Sequence, residues 1–452
     1  MFRPGPVART RIDRALRLLA VVYLIAIAIG VVAYKVAFAE LVSIDPFFAV
    51  YGLVVATYIL SRFAISLFYR AGRDHGIAPN VAIVVPAFNE EEAIGAGIAS
   101  LLAQDYPADR LELVVVDDGS TDGTAREIER ARAAAPGGRD RVHAISFPRN
   151  RGKRAAMAAG IRATTAEIIA FVDSDSVLEP DALRTLVQRF ADARVGAVCG
   201  HADVLNVRES LLTRMQAVRY FVAFRVVKAA ESVFSAVTCC SGCFAAYRRE
   251  AIAPHLQRWE HQRFLGADAT FGDDRSLTNH VLRSWRVVYE ANAVSRTIVP
   301  ATLRRFLVQQ VRWKRSWTRE SLIVARFVWR KHPFAALATY LSVALPLVAP
   351  IAAARALVWL PAHGVSPLVY LLGVYAVALM YGLYYAARRQ PDDALWIWGC
   401  AFVLFYLVVL VWQTYYAVLT ATRTTWGTRP STHGAAPATA VASAGGATER
   451  GR

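Results

Sequence analysis

The sequence predicts an α/β domain with a doubly wound parallel sheet, inserted between transmembrane helices. Three observations lead there. Hydrophobic residues make up 55% of the 452-residue chain and charged residues 19%, too apolar for an ordinary soluble protein and too charged for membrane throughout. Apolar runs near spanning length lie towards both ends and are missing from the middle. That middle alternates short β-branched runs with helical stretches.

Leu18–Tyr34 and Phe47–Ser61 form the first apolar pair, and the second can reach Tyr69 if Arg62 carries its charge out to the interface. Arg9, Arg11, Arg14 and Arg17 precede the pair, Arg70 and Arg73 follow it, and the loop between holds Lys35, Glu40 and Asp45. The excess of arginine puts both ends of residues 1–70 in the cytosol. Ala37-Phe38-Ala39 resembles a signal-peptide cleavage site, but a second apolar run follows almost at once, which favours a spanning pair.

Residues 79–300 read as the cytosolic domain. Val81–Val85, Leu113–Val116 and Ile168–Val172 are expected as strands, Thr124–Ala135 and Ala155–Ala163 as helices. Ligands on such sheets bind at the carboxyl ends of the strands, where the polar motifs stand. Residues 301–333 form an amphipathic interface region. Residues 334–421 hold three further apolar segments, Phe334–Ala353, Leu368–Ala387 and Leu395–Leu419. If all three span, Arg423 and Arg429 lie outside, against the charge rule. The simplest arrangement has Leu395–Leu419 enter and return or lie at the interface. Residues 422–452 end in a tail of Ala, Gly, Thr and Ser from Pro430 that is expected to be disordered.

The net charge of +17 fits a positive membrane flank and an anionic substrate. Nucleic acid is not expected as a partner, because the basic residues cluster beside apolar segments rather than along a stripe interleaved with aromatics. The cysteines are Cys199, Cys239, Cys240, Cys243 and Cys400; their odd number and spacing fit reduced thiols rather than a disulfide framework.

Four stretches carry chemistry. In Val116-Asp117-Asp118-Gly119-Ser120, Asp117 and Asp118 end a strand, where carboxylates can bind ribose hydroxyls and a base edge; a helix-capping Asp-Gly turn looks similar. In Asn150-Arg151-Gly152-Lys153, a cation after a glycine suits a diphosphate, or is a solvated turn. Phe171-Val172-Asp173-Ser174-Asp175 ends a buried run in two carboxylates, hard oxygen ligands for Mg²⁺ or Mn²⁺. In Gly272-Asp273-Asp274-Arg275, Asp274 is the candidate general base for an acceptor hydroxyl, with a surface charge cluster as the plain alternative. Further on, Gln309, Arg312 and Trp313 share one helical face, suited to stacking on a sugar and binding hydroxyl or phosphate groups, or to an interfacial helix.

In this order, Asp118, Asp175, Asp274 and Gln309-x-x-Arg312-Trp313 resemble the processive family-2 glycosyltransferases, which have a GT-A fold and include cellulose, chitin and hyaluronan synthases and the rhizobial chitooligosaccharide synthases. Gln309–Glu320 is most similar to the hyaluronan synthases. Trp426-Gly427-Thr428-Arg429 is similar to their nucleotide-gating loop, which implies that Trp426 and Arg429 contact the donor. Cys240-Ser241-Gly242-Cys243 departs from their Ser-Gly-Pro and stands closer to the chitooligosaccharide synthases. The resemblance implies a multi-pass cell-membrane enzyme with its catalytic domain cytoplasmic. It implies UDP-sugar donors, a growing polysaccharide acceptor and inversion to a β-linkage. Its rivals are a UDP-GlcNAc-only chitin or chitooligosaccharide synthase, a non-processive transferase acting on a lipid-linked sugar, and a polysaccharide channel or scaffold without catalysis.

Overall fold

A computed structural model describes residues 46–135, 141–388 and 394–424, with five isolated positions between Leu18 and Ile29. The first apolar run therefore lies almost wholly outside the described residues.

The α/β part is built on strands buried on both faces. β1 (Val81–Ala87) and β2 (Leu111–Asp117) pair in parallel, as do β2 with β3 (Val142–Ser146) and β1 with β4 (Ile168–Phe171). Alternate residues of each strand feed two separate cores. Val81, Ile83 and Val85 join Leu113, Val115 and Ile168 on one face. There they meet α2 (Ile94–Leu102), α3 (Thr124–Ala133) and α5 (Ala182–Val187) through Ile98, Ile128 and Leu186. Ala82 and Val84 join Val114 and Phe171 on the other, against α4 (Lys153–Arg162) through Met157 and Ile161. Both faces are covered, as the apolar runs predict.

The sheet continues beyond the expected parallel part and becomes mixed. Its eight strands run in the order β3-β2-β1-β4-β7-β6-β10-β5, with β5 at Ser176–Leu178, β6 at Val195–Val204, β7 at Ala245–Arg248 and β10 at Arg286–Thr297. A small separate hairpin holds β8 (Arg263–Phe264) and β9 (Ala267–Asp268). β7 is antiparallel to both β4 and β6, because the chain re-enters the sheet from the opposite end after α6 (Leu211–Val222) and the turn at Thr238–Cys243. β6 carries Gly196 and Gly200 where one core and then the other presses close: a Cβ on Gly196 would lie 2.5 Å from Trp285, and one on Gly200 2.6 Å from Phe244.

α7 (Asp273–Leu282) and the 23-residue α8 (Leu303–Ala325) follow. The apolar helices stand at the two ends of the chain. α1 (Pro46–Ser66) precedes the sheet, and α9 (Pro333–Ala354), α10 (Leu368–Arg388), α11 (Ile397–Phe405) and α12 (Gln413–Leu419) come after it. Among the described residues two helices, Pro333–Ala362 and Tyr370–Arg388, are long and apolar enough to cross a membrane. Ile397–Leu410 and Gln413–Leu419 pass the same test only as a pair, bent by 49°. The last apolar segment is thus broken rather than straight.

α1 ends at Ser66 rather than running on to Tyr69, and Arg62 is buried with its guanidinium over the Tyr58 ring. Tyr69 instead docks on β10. Its hydroxyl donates to Tyr289 O (3.0 Å) and accepts from Ala291 N and Arg189 (3.0 Å each). Next to it the fully buried Glu290 accepts from Arg189 Nε and Gly72 N, both at 2.7 Å. This polar clamp fastens the sheet to the end of α1. Tyr69→Phe leaves the Ala291 amide without its acceptor, and an unsatisfied buried donor costs about 1–3 kcal/mol. A lower midpoint of thermal unfolding in the purified variant is the expected outcome.

Candidate active site

The polar motifs gather at the carboxyl ends of β1, β2 and β4, and each is held by its own local geometry. Asp117 closes β2 and accepts from Ser120 N (3.0 Å), which folds the Asp-Gly-Ser turn back onto its carboxylate. Gly119 has φ +72°, and a Cβ there would run into the Arg149–Asn150 backbone, so only glycine lets the two loops meet. Asp118 is buried, and its oxygens accept from Arg151 N (2.7 Å) and Gly152 N (2.9 Å). It therefore shapes the loop ahead of α4 and does not point out into the cleft.

That loop delivers Lys153 and Arg154 at the start of α4 in opposite directions. The Lys153 ammonium pairs with Asp173 Oδ1. Burial alone would lower its pKa, but Asp173, then Asp273 and Asp274, raise it above the usual lysine range. Lys153 therefore lies in the field of both the Asp173 turn and the Asp274 turn. Asp173 follows the end of β4, where its amide donates to Gly242 O (3.0 Å). Asp175 accepts from Thr297 Oγ1 at 3.3 Å. The strand ends at Phe171, so strand alternation does not align these two carboxylates. They nevertheless share a neighbour, the Cys243 thiol, which burial and then Asp173 and Asp175 push well up. Among the described residues no three His, Cys, Asp or Glu side chains converge as a metal cage. The donor set, two hard carboxylates beside a protonated thiol, fits a divalent cation that takes its remaining ligands from phosphate and water.

Arg154 turns inward. It pairs with Asp273 (2.9 Å), donates to Trp259 O (2.8 Å) and Gln262 Oε1 (3.1 Å), and lies over the Trp259 ring. Asp274 is the next residue, in the first turn of α7 and half-buried, accepting from Arg275 N at 2.8 Å. Gly272, at φ +79°, admits α8 at this point: a Cβ would collide with Ser316. On α8, the buried Arg319 and Glu320 face α7. Glu320 accepts from Gln262 (3.0 Å), Asn279 (3.0 Å) and Arg319 (2.9 Å), and Arg319 also reaches Phe271 O. Gln309 and Arg312 are half-buried two to three turns earlier, and Trp313 is 39% exposed with Arg219 of α6 5.7 Å over its ring. Arg219 is aimed by a helix that Ser210 and Thr213 start with a capping box.

Trp426 and Arg429 lie outside the described residues. The chain leading to them passes the site, since Thr270 Oγ1 donates to Thr424 O at 2.6 Å. The sequence motifs contain Asp273 and Glu320 only as neighbours of chemical residues and give Arg154 and Arg219 no role. The one signal available was the charged pairing itself, since Arg and Asp next to apolar helix positions must find partners when buried.

The profile of glycosyl transferase family 2 matches residues 82–256. A hyaluronan synthase of Streptococcus pyogenes is 33% identical over 392 residues, 84% of this chain and 90% of its own length. The chain belongs to glycosyl transferase family 2. An N-acetylglucosaminyltransferase of Azorhizobium caulinodans is 39% identical over 252 residues, 55% of this chain and 62% of its own. A mannosyltransferase from Pyrobaculum calidifontis, solved with GDP-Man and Mn²⁺, shares the fold at TM-score 0.55 and 22% identity, covering 85% of this chain and all of its own. The family-2 glycosyltransferase described here has a GT-A sheet set between apolar helices, as its motifs predict.

Burial, reinforced by Asp117, lifts Asp118 from 3.8 to about 6 against the pull of the two amides it binds. The folded chain therefore takes up this proton before the unfolded chain does. The ionised carboxylate costs stability above about pH 6, and that cost disappears as pH falls towards 3.8. Its loop-shaping role runs the other way, because the amides of Arg151 and Gly152 need an ionised acceptor. The donor KM should rise as pH falls through about 6. Asp118→Asn should have a raised KM without that inflection, as read from initial rates across pH 5–8.

Proposed function

We propose that this glycosyltransferase polymerises UDP-sugars into a β-linked polysaccharide, as a hyaluronan synthase using UDP-GlcNAc and UDP-GlcA. The observation that carries the reading is that Lys153, paired with Asp173, also lies in the field of Asp274, while the helix that carries Gln309, Arg312 and Trp313 is fastened to α7 through Arg319 and Glu320. UDP binds along Asp117, Lys153 and the loop that Asp118 holds through the Arg151 and Gly152 amides, with Trp426 and Arg429 closing over it. Asp175 and Asp173 would hold a Mg²⁺ or Mn²⁺, which would supply positive charge to the departing diphosphate. Asp274 takes the proton from the acceptor hydroxyl, and that oxygen attacks the anomeric carbon from the face opposite UDP. An α-linked donor so gives a β-linkage. Trp313 stacks on the growing end, with Gln309 and Arg312 beside it.

The membrane part is read as four full spans, two in residues 1–70 and two in 334–421, and one incomplete segment whose 49° bend supports an excursion that does not cross. This keeps the catalytic domain, Arg423 and Arg429 on the cytoplasmic face, and the product leaves between the spans. The 39% identity to an N-acetylglucosaminyltransferase favours a second reading, a chitooligosaccharide synthase using UDP-GlcNAc alone.

Purified protein given UDP-GlcNAc with and without UDP-GlcA separates the two. A polymer that needs both donors and is cut by hyaluronidase is expected. A chitinase-sensitive product from UDP-GlcNAc alone would establish the second reading. Asp274→Asn should lower transfer by about a hundredfold or more while UDP still binds. Near-normal polymer from that variant would refute the base assignment.

A further inference from the structure

The turn at Thr238–Cys243 joins the two carboxylate centres, and the chemistry above leaves its thiols without a role. At one end, Gly242 O accepts from Asp173 N, and a Cβ on Gly242 would sit 2.9 Å from both Asp173 carboxylate oxygens. At the other, the turn is stitched to the first turn of α7. Cys240 N donates to Thr278 Oγ1 (2.9 Å), and that hydroxyl donates to Asp274 O (2.6 Å). Thr238 binds Glu231 through its amide and hydroxyl, both at 3.1 Å, and the Lys228 ammonium holds the Cys239 carbonyl.

These anchors bring the Cys239 Sγ to 3.6 Å from Asp274 Oδ2, while Asp274 Oδ1 takes the Arg275 amide. We infer that Cys239 is a positioning residue for Asp274, its thiol donating to Oδ2 and fixing the carboxylate for proton abstraction. The inference rests on Asp274 being the base. Burial and then Asp274 itself push the thiol up to about 12, so it stays protonated and remains a donor. A thiol suits the task. It is a weak, neutral donor, which orients a carboxylate without stabilising its charge as a lysine or arginine would. The base is held in place.

The test compares Cys239→Ala, Cys239→Ser, Asp274→Asn and the double variant Cys239→Ala/Asp274→Asn in the purified full chain, by UDP release. Losing one oriented hydrogen bond to a charged group should lower kcat about tenfold in Cys239→Ala, with donor KM within about twofold. Cys239→Ser, which keeps a donor, should recover about half of the lost rate or more. In the Asp274→Asn background Cys239→Ala should change the residual rate no further, because the two act through one group. An unchanged kcat in Cys239→Ala, an equal loss in Cys239→Ser, or a further tenfold drop in the double variant would each overturn the inference. If Asp274→Asn keeps its turnover, the base reading fails and the positioning role with it. An inactive Asp274→Asn beside an unaffected Cys239→Ala sinks the positioning role alone.

Discussion

The buried Arg154–Asp273 ion pair is the constraint on which the site depends. Taking both charges out of water costs several kcal/mol per ion, and their attraction repays this only with good geometry and further hydrogen bonds. Both are present: the guanidinium also holds Trp259 O and Gln262 Oε1, and lies over an indole ring. Removing one partner would strand the other charge at a cost of about 3–5 kcal/mol. The pair ties the N-terminus of α4 to the N-terminus of α7. The residues beside it in sequence, Lys153 and Asp274, thereby have their separation set by a bond that neither of them makes.

The same tie extends to α8 through neutral and charged partners in turn. Gln262 accepts from Arg154 and donates to Glu320, Glu320 takes Asn279 of α7, and Arg319 returns to Phe271 O ahead of Gly272. Each member of this buried network has at least one partner, although Arg154 Nη2 and Asn279 Oδ1 find none among the described residues, so it is satisfied in part. Two glycines let it close. Gly119 brings the Asp117–Asp118 loop onto Arg149–Asn150, and Gly272 lets Ser316 reach α7. Substitution at either would separate elements whose spacing the chemistry needs.

What could be read from the sequence follows the same physics. β1, β2 and β4 are buried on both faces, so they appear as unbroken apolar runs, and their expected bounds fall within a few residues of the real ones. β6 and β10 do not read as unbroken apolar runs, because Gly196, Gly200, His201 and Glu290 interrupt them. Those residues are there for close packing or buried pairing. The motif carboxylates were legible as a set, since acids at strand ends are conspicuous. Their directions were not. Asp118 looks like a ligand contact and is turned onto two amides, and Lys153 looks free for phosphate and is paired with Asp173. Side-chain direction at a turn depends on contacts distant in sequence, which a local pattern does not contain.

The last apolar segment shows how such a distant contact decides a local shape. Leu395–Leu419 is one apolar run in the sequence, interrupted by Gln413 and Thr414. A break in a helix frees carbonyls that must find donors. Lys314 provides one: its ammonium reaches Leu410 O and the Thr414 hydroxyl on either side of the bend. Arg315, the next residue, donates to Thr420 Oγ1 at 2.9 Å. Burial and Arg219 lower Lys314 to about 8, the cost of holding a charge there. Lys314 and Arg315 lie on α8 between Trp313 and the Arg319–Glu320 network. One continuous helix thus grips the bent segment with one turn and the Asp274 loop with the next. A shift of the bent segment must be felt at α7, because the backbone between Lys314 and Arg319 is a little over one turn of unbroken helix.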